Sequence, residues 1–419
     1  MKTKWTWSKI VLASAAGLLA VLMLSVGSLS IADHKGKPGG GGGDPPPTAE
    51  LPDVRYRIKF IDPPSNANGT DVPWVYGINN LGQVVGVYNY NAEDGDRAFV
   101  YDPLRNPNQS LDLSEIVTAG VPEGWRLKRA LGINDHMVVV GNIEKIGSDP
   151  IQVRPIAIDL STVDPVVDLL PDLDSVFERV SGWRINENGD ILGIYRLEDG
   201  SNLYGAWYYN PGLYGDPSQR APRDPAPLDM RDEEPEDLLI PIQWSSITLN
   251  NPVENRPAQI AGDLDGVAFR YTLGDAEAEW FPELDLVGVV AGLNDSGTFC
   301  GLHPGPKIRG KIKIESFRFN ESLDLLPSNL VQPDTRGINS SGDLLTISHV
   351  YRDDWGWVKI DDLLVGTDTD MQAWWSGVRA VARQNGINDR GGPSDAGQIT
   401  GNISDGRIFI LTPEPAPTP

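Results

Sequence analysis

The sequence predicts an all-β fold: one seven-bladed β-propeller of four-stranded antiparallel blades, closed by an N-terminal strand (54–62) that completes the last blade. Three observations lead there. A short motif built on Ile-Asn or Leu-Asn recurs seven times. Its asparagines, Asn79, Asn134, Asn186, Asn250, Asn294, Asn339 and Asn388, lie 55, 52, 64, 44, 45 and 49 residues apart. Periods of about 45–50 residues belong to propeller blades. Finally, the seventh unit lacks a fourth strand, while a spare strand precedes the first unit.

The clearest motif runs from Gly77 to Gly86, with the sequence Gly-Ile-Asn-Asn-Leu-Gly-Gln-Val-Val-Gly. Asn79 and Gly82 stand at the first and fourth positions of a type I turn, as do Asn186 and Gly189, Asn294 and Gly297, and Asn339 and Gly342. Asparagine favours the first position because its side chain bonds nearby backbone, and glycine tolerates positive φ at the fourth. A β-rich run follows (Val84-Val85, Val138 to Val140, Ile191-Leu192) and ends at Gly86, Gly141, Gly193 or Gly301. These features predict a hairpin between the first two strands of each blade. Helical repeats would instead need a sustained 3.6-residue apolar period, which is absent.

A third strand is predicted where a small residue precedes aromatic or aliphatic alternation: Ala98 to Tyr101, Ala206 to Tyr209, Ala268 to Tyr271 and Ser316 to Phe319. Leu-Asp-Leu-like segments predict the fourth: 111–113, 167–169, 284–286 and 323–325, with variants at 228–230 and 362–363. The seventh unit ends after Arg407 to Leu411, so Tyr56 to Ile61 is expected to supply its missing strand. Closure of this kind removes exposed sheet edges.

Outside the repeats, residues 2–9 are basic and Ile10 to Ala32 is an uncharged, mostly apolar run of 23 residues. Residues 1–32 therefore read as a signal peptide or signal anchor, with Ser30-Ile31-Ala32 a suitable cleavage site. Residues 33–50 contain five consecutive glycines and three consecutive prolines and predict a disordered linker. The propeller is expected at 51–413 and a disordered proline-rich tail at 414–419. The expected location is secreted or cell-envelope, with one N-terminal membrane anchor if the leader stays uncleaved.

The formal net charge is −23. Residues 1–32 hold three lysines and no acid, so the remainder is more negative still. Such a surface repels phosphate backbones, so no nucleic-acid partner is expected. The single cysteine, Cys300, allows no intramolecular disulfide and reads as a buried small hydrophobe. A monomer is expected.

The Ile-Asn-x-x-Gly-Gln-Val-Val-Gly phrase, followed by Arg97-Ala98-Phe99, resembles the bacterial extracellular HAF repeat family over residues 54 to 411. Arg97 and Val267 stand where that motif has histidine, Met137 replaces a turn glycine, and Thr346 replaces a second glycine. The resemblance implies a secreted β repeat protein and brings no catalytic residue.

Candidate chemistry is sparse. His34, His136, His303 and His349 have no metal-ligand spacing. Asp-rich stretches at 94–96, 263–266 and 368–370 could supply some calcium oxygens but no complete set. No cofactor, metal site or catalytic residue is expected. The ligand-binding candidates are Trp74, Trp125 and Trp183, each a few residues upstream of a motif asparagine, where aromatic faces could stack on sugars or peptide side chains. Trp244 is placed similarly, and Trp374 and Trp375 lie further upstream of Asn388. Packing between blades is the competing reading of all six. The acidic, proline-rich stretch 211–241 reads as a surface excursion, and Lys307, Arg309, Lys311 and Lys313 as the solvent face of an outer strand.

The functional expectation is a binding module for a protein or glycan. One alternative is a polysaccharide hydrolase or lyase with paired funnel carboxylates; another is a structural envelope protein.

Overall fold

The chain divides into two units, Met1–Glu50 and Leu51–Pro419. The computed structural model describes residues 52–416 except 68–72, 92–94, 150, 172–176, 198–203, 215–222, 228–241, 254–255, 265–266, 276, 285–289, 309–310, 327–334, 377–378, 382–386 and 390–395. The leader and linker lie outside the described residues. Among the described residues, no helix is long and apolar enough to cross a membrane.

The second unit is a seven-bladed β-propeller. Strand β1 (Val54–Ile61) precedes the first blade, which comprises β2 (Trp74–Ile78), β3 (Val84–Asn91), β4 (Gly95–Tyr101) and β5 (Leu111–Asp112). The second blade is β6 (Trp125–Ile133), β7 (Val138–Lys145), β8 (Val153–Asp159) and β9 (Val167–Leu169). The third is β10 (Phe177–Ile185), β11 (Ile191–Leu197), β12 (Tyr204–Asn210) and β13 (Arg223–Pro227). The fourth is β14 (Ile242–Leu249), β15 (Gln259–Leu264), β16 (Val267–Thr272) and β17 (Glu279–Phe281). The fifth is β18 (Val290–Leu293), β19 (Phe299–Ile308), β20 (Lys311–Phe319) and β21 (Leu323–Leu326). The sixth is β22 (Thr335–Ile338), β23 (Leu344–Thr346), β24 (His349–Arg352) and β25 (Gly356–Lys359). After β26 (Leu364–Val365) come β27 (Arg379–Val381), β28 (Ile399–Ile403) and β29 (Ile408–Pro415), which share one sheet with β1 and β26.

In that last sheet β1 runs antiparallel to β29 from Val54↔Pro415 to Ile61↔Ile408, with Phe60 opposite Phe409. Strand β29 continues to Pro415, so residues expected to belong to a disordered tail are in the ladder instead. Pro413 and Pro415 are tolerated because β29 pairs with β28 only as far as Leu411, leaving these positions an open side.

Alternation along each strand builds the core between blades. Ala98 and Val100 face a cluster with Leu127, Val139 and Ile156 of the second blade. Phe99 and Tyr101 face the other way, against Ile408 and Ile410 of the seventh. The second motif glycine has a definite task here. Gly86, Gly193, Gly262, Gly301 and Gly401 pair directly with Phe99, Trp207, Phe269, Phe317 and Phe409. A Cβ on Gly193 would lie 2.0 Å from the Trp207 ring. The bare backbone therefore provides the floor on which the neighbouring aromatic ring lies.

The turn glycines Gly82, Gly189, Gly297 and Gly342 all have positive φ, between 78° and 85°. Met137, where a glycine was missing from the motif, adopts φ 64° as well.

Several sequence expectations need correction. The fourth strand of the fourth blade is Glu279–Phe281, followed by a 3-10 turn at Pro282–Leu284, rather than 284–286. In the sixth blade it is Gly356–Lys359, while 362–363 falls in the four-residue helix Ile360–Leu363. Lys307 and Lys311 belong to the hairpin of β19 and β20 rather than to an outer strand. Segment 228–230 lies outside the described residues.

Candidate functional site

Because the strands alternate in direction, the β2–β3 hairpin and its six counterparts gather at one end of the axis. The links between blades gather at the other. These are the asparagine end and the entry end.

At the asparagine end each motif asparagine uses both atoms of its amide. The Oδ1 of Asn79 accepts from Gln83 N at 2.9 Å, closing its own turn, and the other six make the equivalent bond. The Nδ2 of Asn79, Asn134, Asn186, Asn250 and Asn294 donates to the carbonyl of the next motif asparagine at 2.8–3.1 Å. Asn388 donates to the carbonyl of Asn79 at 2.8 Å, joining the seventh blade to the first. The following residues form a second belt. Asn80 N donates to Asp135, Asp135 N to Glu187, Glu187 N to Asn251, Asn251 N to Asp295, Ser340 N to Asp389, and Asp389 N to Asn80.

These belts line an axial depression of about 620 Å³, counting the space open to solvent, with Ile78, Ile133, Ile185, Leu249, Leu293, Ile338 and Ile387 also in its wall. Four carboxylates, Asp135, Glu187, Asp295 and Asp389, converge there. Burial, then the charge of Asp135, pushes Glu187 up to about 8. Asp389 is raised for the same reasons, burial first and then Asp295. Among the described residues, no group of three or more His, Cys, Asp or Glu could hold a metal ion.

The axis itself is filled by side chains from the inner strands. Leu131, Trp183, Ile247 and Leu249 share one cluster, with Tyr76 packed against it. The Tyr76 and Trp183 rings meet edge to face at 6.3 Å, and Trp183 Nε1 donates to Ile247 O at 3.3 Å. Arg184 is buried beside them, its Nη1 donating to Leu131 O at 2.7 Å, and burial lowers its pKa.

This settles the position of Trp183. It is 4% exposed and packs between blades, so it has no free face for a ligand and is withdrawn as a binding candidate. Trp74 stands 50% exposed at the start of β2. Trp125 is half-buried at the start of β6, with the Arg154 guanidinium 5.2 Å from its ring centre. Trp374 is buried and donates to Asp361, whereas Trp375 is exposed; both belong to the helix Asp368–Ser376. The acidic stretch 368–370 is the first turn of that helix, where the Thr367 hydroxyl donates to Asp370 Oδ2 at 2.7 Å. The Trp244 side chain lies outside the described residues.

Trp125 lines a cleft of about 810 Å³, counting the space open to solvent, at the entry end between the first and second blades. One wall is the link after β5: Ser114, Val117, Thr118, Ala119 and Val121. The other is Trp125, Arg126 and Leu127 of β6, with Arg97 and Ile146 at the margins. Asp112 anchors this corner. Its Oδ1 caps the helix Leu113–Ile116 through Ser114 N at 2.8 Å, and its Oδ2 accepts from the Tyr88 hydroxyl at 2.7 Å and from Asn66 at 3.0 Å. Arg97 Nη1 lies 3.6 Å from the same oxygen, with its guanidinium over the Tyr90 ring. Arg126 donates to Glu144 Oε1 at 2.9 Å.

The structure therefore does not bring Trp74, Trp125 and Trp183 into one site. The cleft contains Trp125, joined by Arg97 and Arg126, which sequence reasoning did not connect with it. Arg126 directly follows Trp125 in sequence, and only Arg97, on the preceding blade, was hidden by separation along the chain. The axial belt was legible in principle, since it is the residue after each motif asparagine read down the seven repeats.

No family model matches the chain, and no curated protein matches it in sequence. Among solved structures it is similar to the β-propeller domain of the Trilobed protease from Pyrococcus furiosus, at 8% identity and a TM-score of 0.40, covering 80% of this chain and 94% of that one. A Trypanosoma rangeli sialidase is similar at 7% identity and a TM-score of 0.40, covering 86% of this chain and 59% of that one. An ulvan lyase is similar at 10% identity and a TM-score of 0.38, covering 84% of this chain and 95% of that one. Likenesses at these levels carry no argument about chemistry.

Proposed function

We propose that this protein is an exported binding module that holds a glycan in the cleft at Trp125. The observation that carries this reading is the joining of an aromatic ring, an apolar wall and hydroxyl groups in one recess of about 810 Å³. Sugar rings present C–H faces that pack on aromatic and aliphatic surface, and hydroxyls that bond polar side chains; the hydroxyls of Ser114 and Thr118 donate to Asp112 Oδ1 and Pro165 O and can still accept from a sugar hydroxyl. Among the described residues, those that line the cleft include no carboxylate, whereas glycoside hydrolysis commonly uses a pair of them beside the scissile bond. The converging carboxylates of this protein sit at the opposite end of the axis. Export rests on the leader at residues 1–32, and mass measurement of the mature N-terminus tests it.

A glycan array probed with the wild-type protein and Trp125→Ala tests the site. Truncating a central aromatic contact costs about 2 kcal/mol or more, roughly thirtyfold in affinity. The wild type is expected to retain a subset of glycans and the variant to lose them, with unchanged thermal unfolding. Retention by Trp125→Ala at wild-type strength would refute the site.

A further inference from the structure

We infer that the glycan held in the Trp125 cleft is anionic, carrying carboxylate or sulfate groups; this rests on the binding reading above and names its ligand class. The chain has a formal net charge of −23, yet among the described residues the cleft is lined by two guanidinium groups and no carboxylate. Each guanidinium has a carboxylate partner outside that lining, Asp112 for Arg97 and Glu144 for Arg126.

Both arginines are held from behind. Arg97 is fixed by Asp112 and by the Tyr90 ring, whose centre lies 3.7 Å from its Cζ. Asp112 in turn is buried and bonded to Tyr88, Asn66 and Ser114. Arg126 shares Glu144 with Lys128. These contacts fix the guanidinium planes while leaving the Arg97 and Arg126 side chains 24% and 19% exposed, so part of each remains within reach of a ligand. A guanidinium presents five donors in a rigid fork that matches a planar carboxylate or a face of a sulfate. Arginines oriented before binding lose little freedom when such a group arrives.

A neutral glycan would pack on Trp125 but would bring no charge to match the two guanidinium groups. An acidic peptide could meet the arginines, but the recess walled by Val117, Ala119, Val121 and the Trp125 ring favours the flat C–H face of a sugar.

The test measures binding of the purified protein to three probes by calorimetry: a heparin hexasaccharide, a polygalacturonate hexamer and cellohexaose. At least one anionic probe is expected to bind roughly tenfold or more tightly than cellohexaose, the scale of losing one hydrogen bond to a charged group. Arg97→Gln and Arg126→Gln are each expected to remove most of that preference, because the anionic probe loses several-fold more affinity than cellohexaose does. Should a glutamine variant fail to fold, Arg97→Lys or Arg126→Lys retains the charge, loses the fork, and is expected to bind the anionic probe several-fold less tightly. Tighter binding of polygalacturonate, which carries carboxylates alone, shows that a carboxylate is sufficient. Equal affinity for cellohexaose and both anionic probes, or arginine variants with unchanged preference, would overturn the inference while leaving the glycan reading standing. Absence of binding to every probe, together with a blank glycan array, would overturn both.

Discussion

Asparagine is the side chain that this ring of turns requires, because its amide offers an acceptor and a donor at once. Serine is too short for both contacts, and aspartate cannot donate when ionised. Reading the seven asparagines as turn formers was correct for Oδ1 and incomplete for Nδ2, since the partner carbonyls lie 44 to 64 residues away in sequence. The next position brings carboxylates together instead. Glu187 titrates near 8 in the fold and near 4.5 when unfolded. Between those values the unfolded chain holds fewer protons on this group than the folded one, so stability falls as pH rises from about 4.5 to about 8. Asp135, Asp295 and Asp389 add to this repulsion, while His136, 3.9 Å from Glu187 Oε2, relieves it only when protonated. Glu187→Gln is expected to lose less stability than the wild type between pH 5 and pH 8.5. Urea midpoints at the two pH values measure this, and parallel losses would contradict it.

At the scale of strands, the pairing of glycine with an aromatic ring explains why the motif ends where it does. The second glycine marks the place where the third strand lays its ring across the second. Gly193→Ala would drive a methyl group into Trp207, a buried ring with no space to retreat. Overpacking of this kind costs about 1–3 kcal/mol. A chemical denaturation curve should show that loss, and an unchanged midpoint would mean that the ring can shift. First and second strands were legible because turn chemistry marks their junction. Fourth strands were less so: Glu279–Phe281 and Gly356–Lys359 are only three and four residues long and carry too little alternation to compete with nearby Leu-Asp pairs. The β6 wall of the cleft follows Trp125 directly in sequence, but the opposite wall and Arg97 were not legible, because they reach the cleft from the first blade and the link after it.

For the whole molecule, seven-fold repetition was readable from spacing, and the blade count follows it. Strand β1 contributes four buried apolar side chains to the last sheet, Val54, Tyr56, Ile58 and Ile61. At about 1.5–3 kcal/mol each, their burial rivals the net stability of about 5–15 kcal/mol typical of a folded domain. Deleting residues 52–61 is therefore expected to abolish the cooperative thermal transition. Circular dichroism melting measures it, and a sharp transition at the wild-type temperature would show that the strand is dispensable. The propeller also brings the first and last of its own strands together, Ala416 N donating to Asp53 O at 2.6 Å. Within this unit no blade is a privileged beginning: the same circle of blades could be cut in a surface link and joined between these two residues, with its order of synthesis changed and its architecture kept.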